Sequence, residues 1–261
     1  MLKRKQGAES GDMFGREHLA AEHSARKIRQ RLSEGHRPDY LPDFIYGAID
    51  GTVTTFAVVS GVAGAELSSS IVIVLGLANL VGDGFSMAAS NYLGTRVEKQ
   101  LQAKARERES REIDGYPEGE REEIRQIYAA KGFGGSDLER AVEIITSDKQ
   151  RWIDTMLTDE IGLSLTERSP LRAASATMFA FLLIGFIPLC PFLINTATPG
   201  LIDRTYLVSC VLTGFAFFFV GAVKSRFVNQ SWIGSGLETL ALGGSAAALA
   251  YFVGMSLRGL V

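Results

Sequence analysis

The residues with the clearest chemical potential are carboxylates standing where a carboxylate is expensive. In Asp43-Phe-Ile-Tyr-Gly-Ala-Ile-Asp50-Gly two aspartates are seven residues apart, about two helical turns, which puts both on one face. Thr54 continues that face, and Gly47 and Gly51 form a small-xxx-small pair beside it that lets another helix approach. A second run places Asn79, Asp83 and Met87 at i, i+4 and i+8, one stripe of amide, carboxylate and thioether that Ser90 and Asn91 extend. Carboxylate oxygens alone suit Mg²⁺ or Ca²⁺; an added thioether is a soft donor and points to a first-row transition metal. The plain alternatives are packing for Met87 and structural pairing with Asn or Thr for the aspartates. For Asp50 the functional reading is the stronger, because no Lys or Arg lies in the apolar segments to neutralise it. A buried, unpaired carboxylate protonates or binds a cation, and alternation between the two is what a proton-coupled cation carrier requires.

A second constellation is polar. Residues 96–123 hold nine acidic residues, including the pairs Glu109 with Glu112 and Glu120 with Glu123. At i, i+3 these carboxylates share a helical face and repel unless a cation lies between them. Met156 and Glu160, at i, i+4, repeat the union of thioether and carboxylate. The competing reading is a solvated charged helix in which Arg108, Arg111 and Arg121 neutralise the glutamates. His18, His23 and His36 all fall in the leader without ligand spacing, and the absence of Glu-x-x-His argues against di-iron oxidase chemistry. No nucleophile, base and orienting group occur together, so the chain is read as not an enzyme and as carrying no prosthetic group.

The elements that must hold these residues follow from where charge is missing. The 261 residues are 46% hydrophobic and 21% charged, with net charge -2 and mean hydropathy +0.13, averages that would suit a soluble protein. Yet residues 173–202 and 205–223 carry no charge, 44–95 carry three charges and 233–257 one. A soluble domain keeps a solvated face on each helix, so this is a membrane protein with a soluble part. Five segments have the roughly 20 apolar residues a span needs: Phe44 to Ala65, Ser70 to Gly94, Ala173 to Asn195, Thr205 to Val223, and Ile233 to Leu257. Lys and Arg number 9 in the leader (1–43) and 14 in the 96–172 loop, which places both in the cytoplasm and the C-terminus outside. The leader has no apolar run of signal-peptide type, so the first span is read as an internal anchor. An acidic pI near 6.0 excludes a basic nucleic-acid footprint, and Cys190 and Cys210, both in apolar runs, make no disulfide framework.

Within the loop, Arg96 to Ile113 prolongs the second span, Pro117 breaks the helix, Glu118 to Lys131 forms the next, and Ser136 caps a third running to about Ile161. Such short helices bury little core by themselves, and the loop is expected to pair with a second subunit. The leader from Arg16 to Leu32 reads as an amphipathic surface helix. The fold class is therefore all-α: five transmembrane helices and a three-helix cytoplasmic domain between the second and third. The domains expected are 1–43, 44–95, 96–172 and 173–261.

Asp43 to Gly51, together with Gly76-Leu-Ala-Asn-Leu-Val-Gly-Asp-Gly-Phe-Ser-Met-Ala-Ala-Ser-Asn-Tyr-Leu93, resembles the first two spans of the vacuolar iron transporter family. The likeness runs from about Pro42 to a last span like Gly236-Leu-Glu-Thr-Leu-Ala-Leu-Gly243. It implies a homodimeric divalent metal and proton antiporter moving Fe²⁺, and often Mn²⁺, out of the cytosol, with Asp43, Asp50 and Met87 in the pathway. It implies further that Glu109, Glu112, Glu120, Glu123, Met156 and Glu160 collect the ion in a helical metal-binding insertion. Two positions depart from the family pattern. Some members have Glu where this chain has Asn79, so Asp83 is expected to supply the missing charge. Some have two adjacent Met where it has Met156-Leu157.

Carboxylate plus thioether accommodates Fe²⁺, Mn²⁺, Co²⁺ and Zn²⁺ alike. The rival readings are a non-transporting membrane metal sensor or docking module, and a carrier of organic cations. The compact leader points to a bacterial plasma membrane. Glu238 is expected to pair with Ser235 or Thr239, or to line a proton path.

Overall fold

The computed structural model describes residues 18–34, 38–227 and 230–260, all helix, turn or irregular chain with no strand among them. The chain divides into two compact units, Met1–Pro38 and Asp39–Val261. In the first, helix α1 spans Ala25–Glu34 after a shorter helical stretch at 18–22. The leader helix expected as one piece is thus interrupted at His23 and Ser24, where the His23 ring lies 2.8 Å from the Leu19 carbonyl oxygen. His18 and His23 are exposed; His36 and Arg16 lie outside the described residues.

The second unit contains five helices long and apolar enough to cross a membrane. Helix α2, Leu41–Gly64, begins with Pro42 in its first turn, where a missing N–H costs nothing. It ends at Ala65 and Glu66, the latter at φ 55° in the tight turn between the first two spans. Helix α3 is continuous from Ser69 to Gly115: its apolar half crosses the membrane and its charged half projects beyond, as the sequence predicts. At Tyr116 it stops, because Pro117 cannot supply the next N–H.

Three further helices follow: α4 (Pro117–Ala130), α5 (Gly135–Thr146) and α6 (Lys149–Thr155). A π-helical turn, Met156–Glu160, closes the last of them. The single third helix of the sequence reading is therefore two. It breaks at Ser147, and Asp148 caps the new start by accepting the Arg151 N–H at 2.8 Å. Gly134, and not Ser136, is the N-cap of α5. This insertion has a core of its own, with Ile113, Ile124, Val142, Ile145, Trp152, Ile153, Met156 and Leu157 buried together.

The third span is also interrupted. Helix α7, Pro170–Gly185, gives way to a 3₁₀ turn at Ile187–Leu189 and then to α8, Cys190–Ala197. Pro188 and Pro191 lack the N–H groups a continuous helix needs. At this interruption the Ser209 hydroxyl donates to the Pro188 carbonyl at 2.7 Å. Helices α9, Thr205–Lys224, and α10, Trp232–Leu257, complete the bundle.

Helix α2 is the hub, packed against α3, α7, α9 and α10. The Gly47 and Gly51 pair serves α7: a Cβ on Gly51 would lie 2.5 Å from the Phe181 carbonyl oxygen, and one on Gly47 would overlap the Thr177 backbone. The membrane core gathers Phe56, Val59, Val72, Leu80, Phe181 and Phe217, among others, while Val74, Val81, Phe85 and Phe219 point outward. That outward apolar surface is what a bilayer demands and water does not.

Candidate metal pathway and carboxylate cluster

Asp43 enters in the first turn of α2 and is 8% exposed. Both its oxygens are engaged. The Asn91 amide donates to Oδ1 at 2.9 Å and to the Thr177 hydroxyl at 2.7 Å, while the Arg168 guanidinium pairs with Oδ2. Thr177 sits on α7 and Asn91 on α3, so the carboxylate ties three spans together. A cavity of about 950 Å³ opens beside it, lined by Asp43, Met87, Ser90, Asn91, Glu98 and Arg168, among others.

Asp50 lies deeper on the same helix, half-buried, and its carboxylate receives no hydrogen bond among the described residues. Thr54 does not reach it; the hydroxyl donates instead to the Asp50 backbone carbonyl at 2.9 Å. The charged group that acts on Asp50 is Asp83, across on α3. Asp83 is exposed at the surface of the single chain. The Asn79 amide nitrogen is buried without a partner one turn away. Of the five pathway residues predicted from sequence, Asp43 and Met87 share the cavity; Asp50, Asn79 and Asp83 do not line it. Met87 also packs against the membrane core.

In the insertion, Glu109 and Glu112 from α3 meet Glu120 from α4, with carboxylate oxygens within 4.8 Å of one another. A first-row ion holds oxygens at about 2.0–2.2 Å, so its opposed ligands lie at most about 4.4 Å apart, a few tenths of an ångström from this arrangement. Glu109 is 1% exposed and Glu120 7%. One oxygen of Glu120 is buried with no hydrogen bond. Burial first, and then the charges of Glu123, Glu109, Glu112 and Glu160, push the Glu120 carboxyl up to about 7. Glu160 is likewise raised, by crowding of protein atoms and then by Glu123, with Arg108 opposing. Arg108 is the counter-ion, 3.1 Å from Glu109 and 3.3 Å from Glu112. Arg121 lies over the Trp152 ring at 5.9 Å. Three of the six predicted residues thus meet, and Glu123 and Glu160 add their charge to the same cluster. The sixth, Met156, is fully buried in the apolar cluster of the insertion.

The sequence of the VIT family matches residues 41–255. The chain belongs to that family. It is 34% identical over 226 residues to a vacuolar iron transporter of Toxoplasma gondii, covering 84% of this chain and 75% of that protein. It is 33% identical to vacuolar iron transporter 1 of Arabidopsis thaliana, over 82% of this chain and 84% of the relative. With vacuolar iron transporter 2 of Oryza sativa the identity is 30%, over 90% and 96%. As a VIT family member with five apolar helices, the chain is an integral membrane protein.

Two features of this VIT chain escape the sequence pattern. Arg168 stands 125 residues from its partner Asp43, and only the return of the insertion to the membrane brings them together. Glu238 pairs with Lys224 at 3.1 Å, across the ends of α9 and α10, and not with Ser235 or Thr239. A cationic residue flanking each of these spans was the available signal, since opposite charges at adjoining helix ends attract.

Proposed function

We propose that this protein carries a divalent transition metal, Fe²⁺ with Mn²⁺ as a second cargo, from the cytosol across the membrane in exchange for protons. The observation that carries the reading is Asp50: a half-buried carboxylate in the middle of an apolar helix, with no hydrogen bond and no cationic partner among the described residues. Such a group is stable only protonated or metal-bound, and the two states are the two halves of an antiport cycle. The names of the relatives support transport over a non-transporting sensor, and iron as cargo.

In this scheme the ion is gathered by Glu109, Glu112, Glu120, Glu123 and Glu160 and enters beside Asp43 and Met87. It is then held at Asp50 and released on the far side as protons arrive. The insertion and N-terminus lie in the cytoplasm, on the Lys and Arg asymmetry. The working unit is a homodimer. A carboxylate facing lipid costs on the order of 2.5–3.5 kcal/mol, and Asp83, exposed on one chain, escapes that cost when a second copy covers the face carrying Asn79 and Asp83.

Proteoliposomes with an acidic lumen test the scheme. Mn²⁺ or anaerobic Fe²⁺ added outside should enter and alkalinise the lumen, and Asp50→Ala should abolish both signals. Metal-coupled proton flux at the wild-type rate in that variant overturns the pathway.

A further inference from the structure

We propose that Arg168 is a tethered counter-cation that occupies Asp43 when no metal is bound and must be displaced for a divalent cation to enter, a role that rests on the transport reading above. Asp43 has two carboxylate oxygens and both are taken, Oδ1 by Asn91 and Oδ2 by Arg168. A metal replacing the neutral amide would still face a cation on the other oxygen. A metal replacing the guanidinium exchanges one positive charge for two and leaves the amide in place, so Arg168 is the group that must leave.

The geometry around Arg168 suits a residue held ready and able to swing aside. It belongs to neither a span nor an insertion helix, but to the irregular strap 162–169 that returns the chain to the membrane. The strap is fastened along α3: the Gln102 amide donates to the Ser164 carbonyl at 3.0 Å and Lys99 pairs with Glu167 at 2.9 Å. At its end the Ser169 N–H donates to the Tyr40 hydroxyl at 2.8 Å, and the Arg168 guanidinium lies over the Tyr40 ring, 5.7 Å from its centroid. Backbone position is therefore fixed while the side chain borders the 950 Å³ cavity, which has room for it to withdraw toward Glu98 and Asp39. Arg168 is a third exposed where Asp43 is nearly sealed, so solvent can take the guanidinium as the metal takes the carboxylate.

The test uses the full chain in proteoliposomes, with initial rates of Mn²⁺ uptake measured against Mn²⁺ concentration. Arg168→Gln, which removes the competitor, should lower KM by about tenfold. Arg168→Lys, which keeps the charge, should hold KM to within about twofold of wild type on the same scale. In an Asp43→Asn background Arg168→Gln should no longer move KM. An unchanged or raised KM in Arg168→Gln, or an equal fall with and without Asp43, overturns the role. If Arg168→Gln does not fold, Tyr40→Leu removes the ring beneath the guanidinium, together with the hydroxyl that accepts from the Ser169 N–H, and keeps every charge. It should lower KM in the same direction by a smaller factor, and no change there overturns the role too. A wild-type protein without metal flux overturns the transport reading itself; flux with an unaltered KM in Arg168→Gln overturns only Arg168.

Discussion

Glu120 is the residue at which charge and burial conflict most sharply, and Glu120→Gln turns that conflict into a measurement. Its carboxyl is held at about 7 against an ordinary 4.5, with burial the largest cause and four glutamates adding to it. In the unfolded chain the proton leaves near 4.5, whereas in the folded protein it stays until about 7. The folded state thus binds more protons across that window, and the metal-free protein loses stability as pH rises through it. Moving one carboxyl from 4.5 to about 7 corresponds to at most about 3 kcal/mol. Glutamine keeps the shape of the neutral acid and has nothing to ionise. Glu120→Gln should therefore match wild type near pH 4.5 and exceed it at pH 7.5 by up to about 3 kcal/mol. Trp152, buried in the same cluster as Ile124, reports local unfolding by fluorescence in a Trp232→Phe background. Mn²⁺ should reverse the order at pH 7.5, stabilising wild type far more than the variant, because a cation relieves the repulsion that the glutamine lacks. Two results refute the reasoning: equal metal-free stabilities at pH 7.5, or equal stabilisation by Mn²⁺.

Other perturbations address the membrane part. Gly51→Leu sets a side chain against the Phe181 backbone and should abolish folded protein in size-exclusion chromatography; Gly82→Leu meets nothing within 4 Å and should fold. If the face bearing Asp83 is covered by a second copy, Gly82→Leu should shift the particle mass from dimer toward monomer in mass photometry. Ser209→Ala removes the hydroxyl that donates to the Pro188 carbonyl and should lower unfolding stability by about 1 kcal/mol, without altering metal selectivity in competition uptake. Met87→Leu preserves packing but removes the soft donor, so Fe²⁺ uptake should fall severalfold while span assembly, read by thermal unfolding, is unchanged.

What could be read from residues alone was whatever depends on local periodicity. Charge-poor stretches located the five spans, and Pro117 marked the end of α3 because a missing N–H is a local fact. The pairing of Glu109 and Glu112 was equally local, while their meeting with Glu120 required only the short turn at Tyr116. Where tertiary contact decides, the pattern fell silent. Met156, offered as a ligand, has its side chain in the apolar cluster of the insertion, where an unbranched thioether packs as well as it coordinates. The third span looked uninterrupted because Ile187, Leu189 and Phe192 are as apolar as their neighbours, and hydropathy does not register the missing N–H groups of Pro188 and Pro191. Arg168 carried only the coarse signature of a cation beside a span, since its partner lies on another helix.

The unbroken course of α3 sets a ruler between the two carboxylate centres. Met87 and Glu109 ride the same helix, 22 residues apart, which at 1.5 Å per residue is about 33 Å. No side chain bridges that distance, so within one chain an ion cannot be handed directly from the glutamates to the mouth of the pathway. In the proposed scheme it leaves the cluster, crosses water and is recaptured. One ion confined to a sphere of that radius is at about 10 mM, in the range of tethered ligands. On this view the insertion works as an antenna: it raises the concentration that Asp43 and Met87 sample, and the rigidity of the rod fixes how large that gain can be.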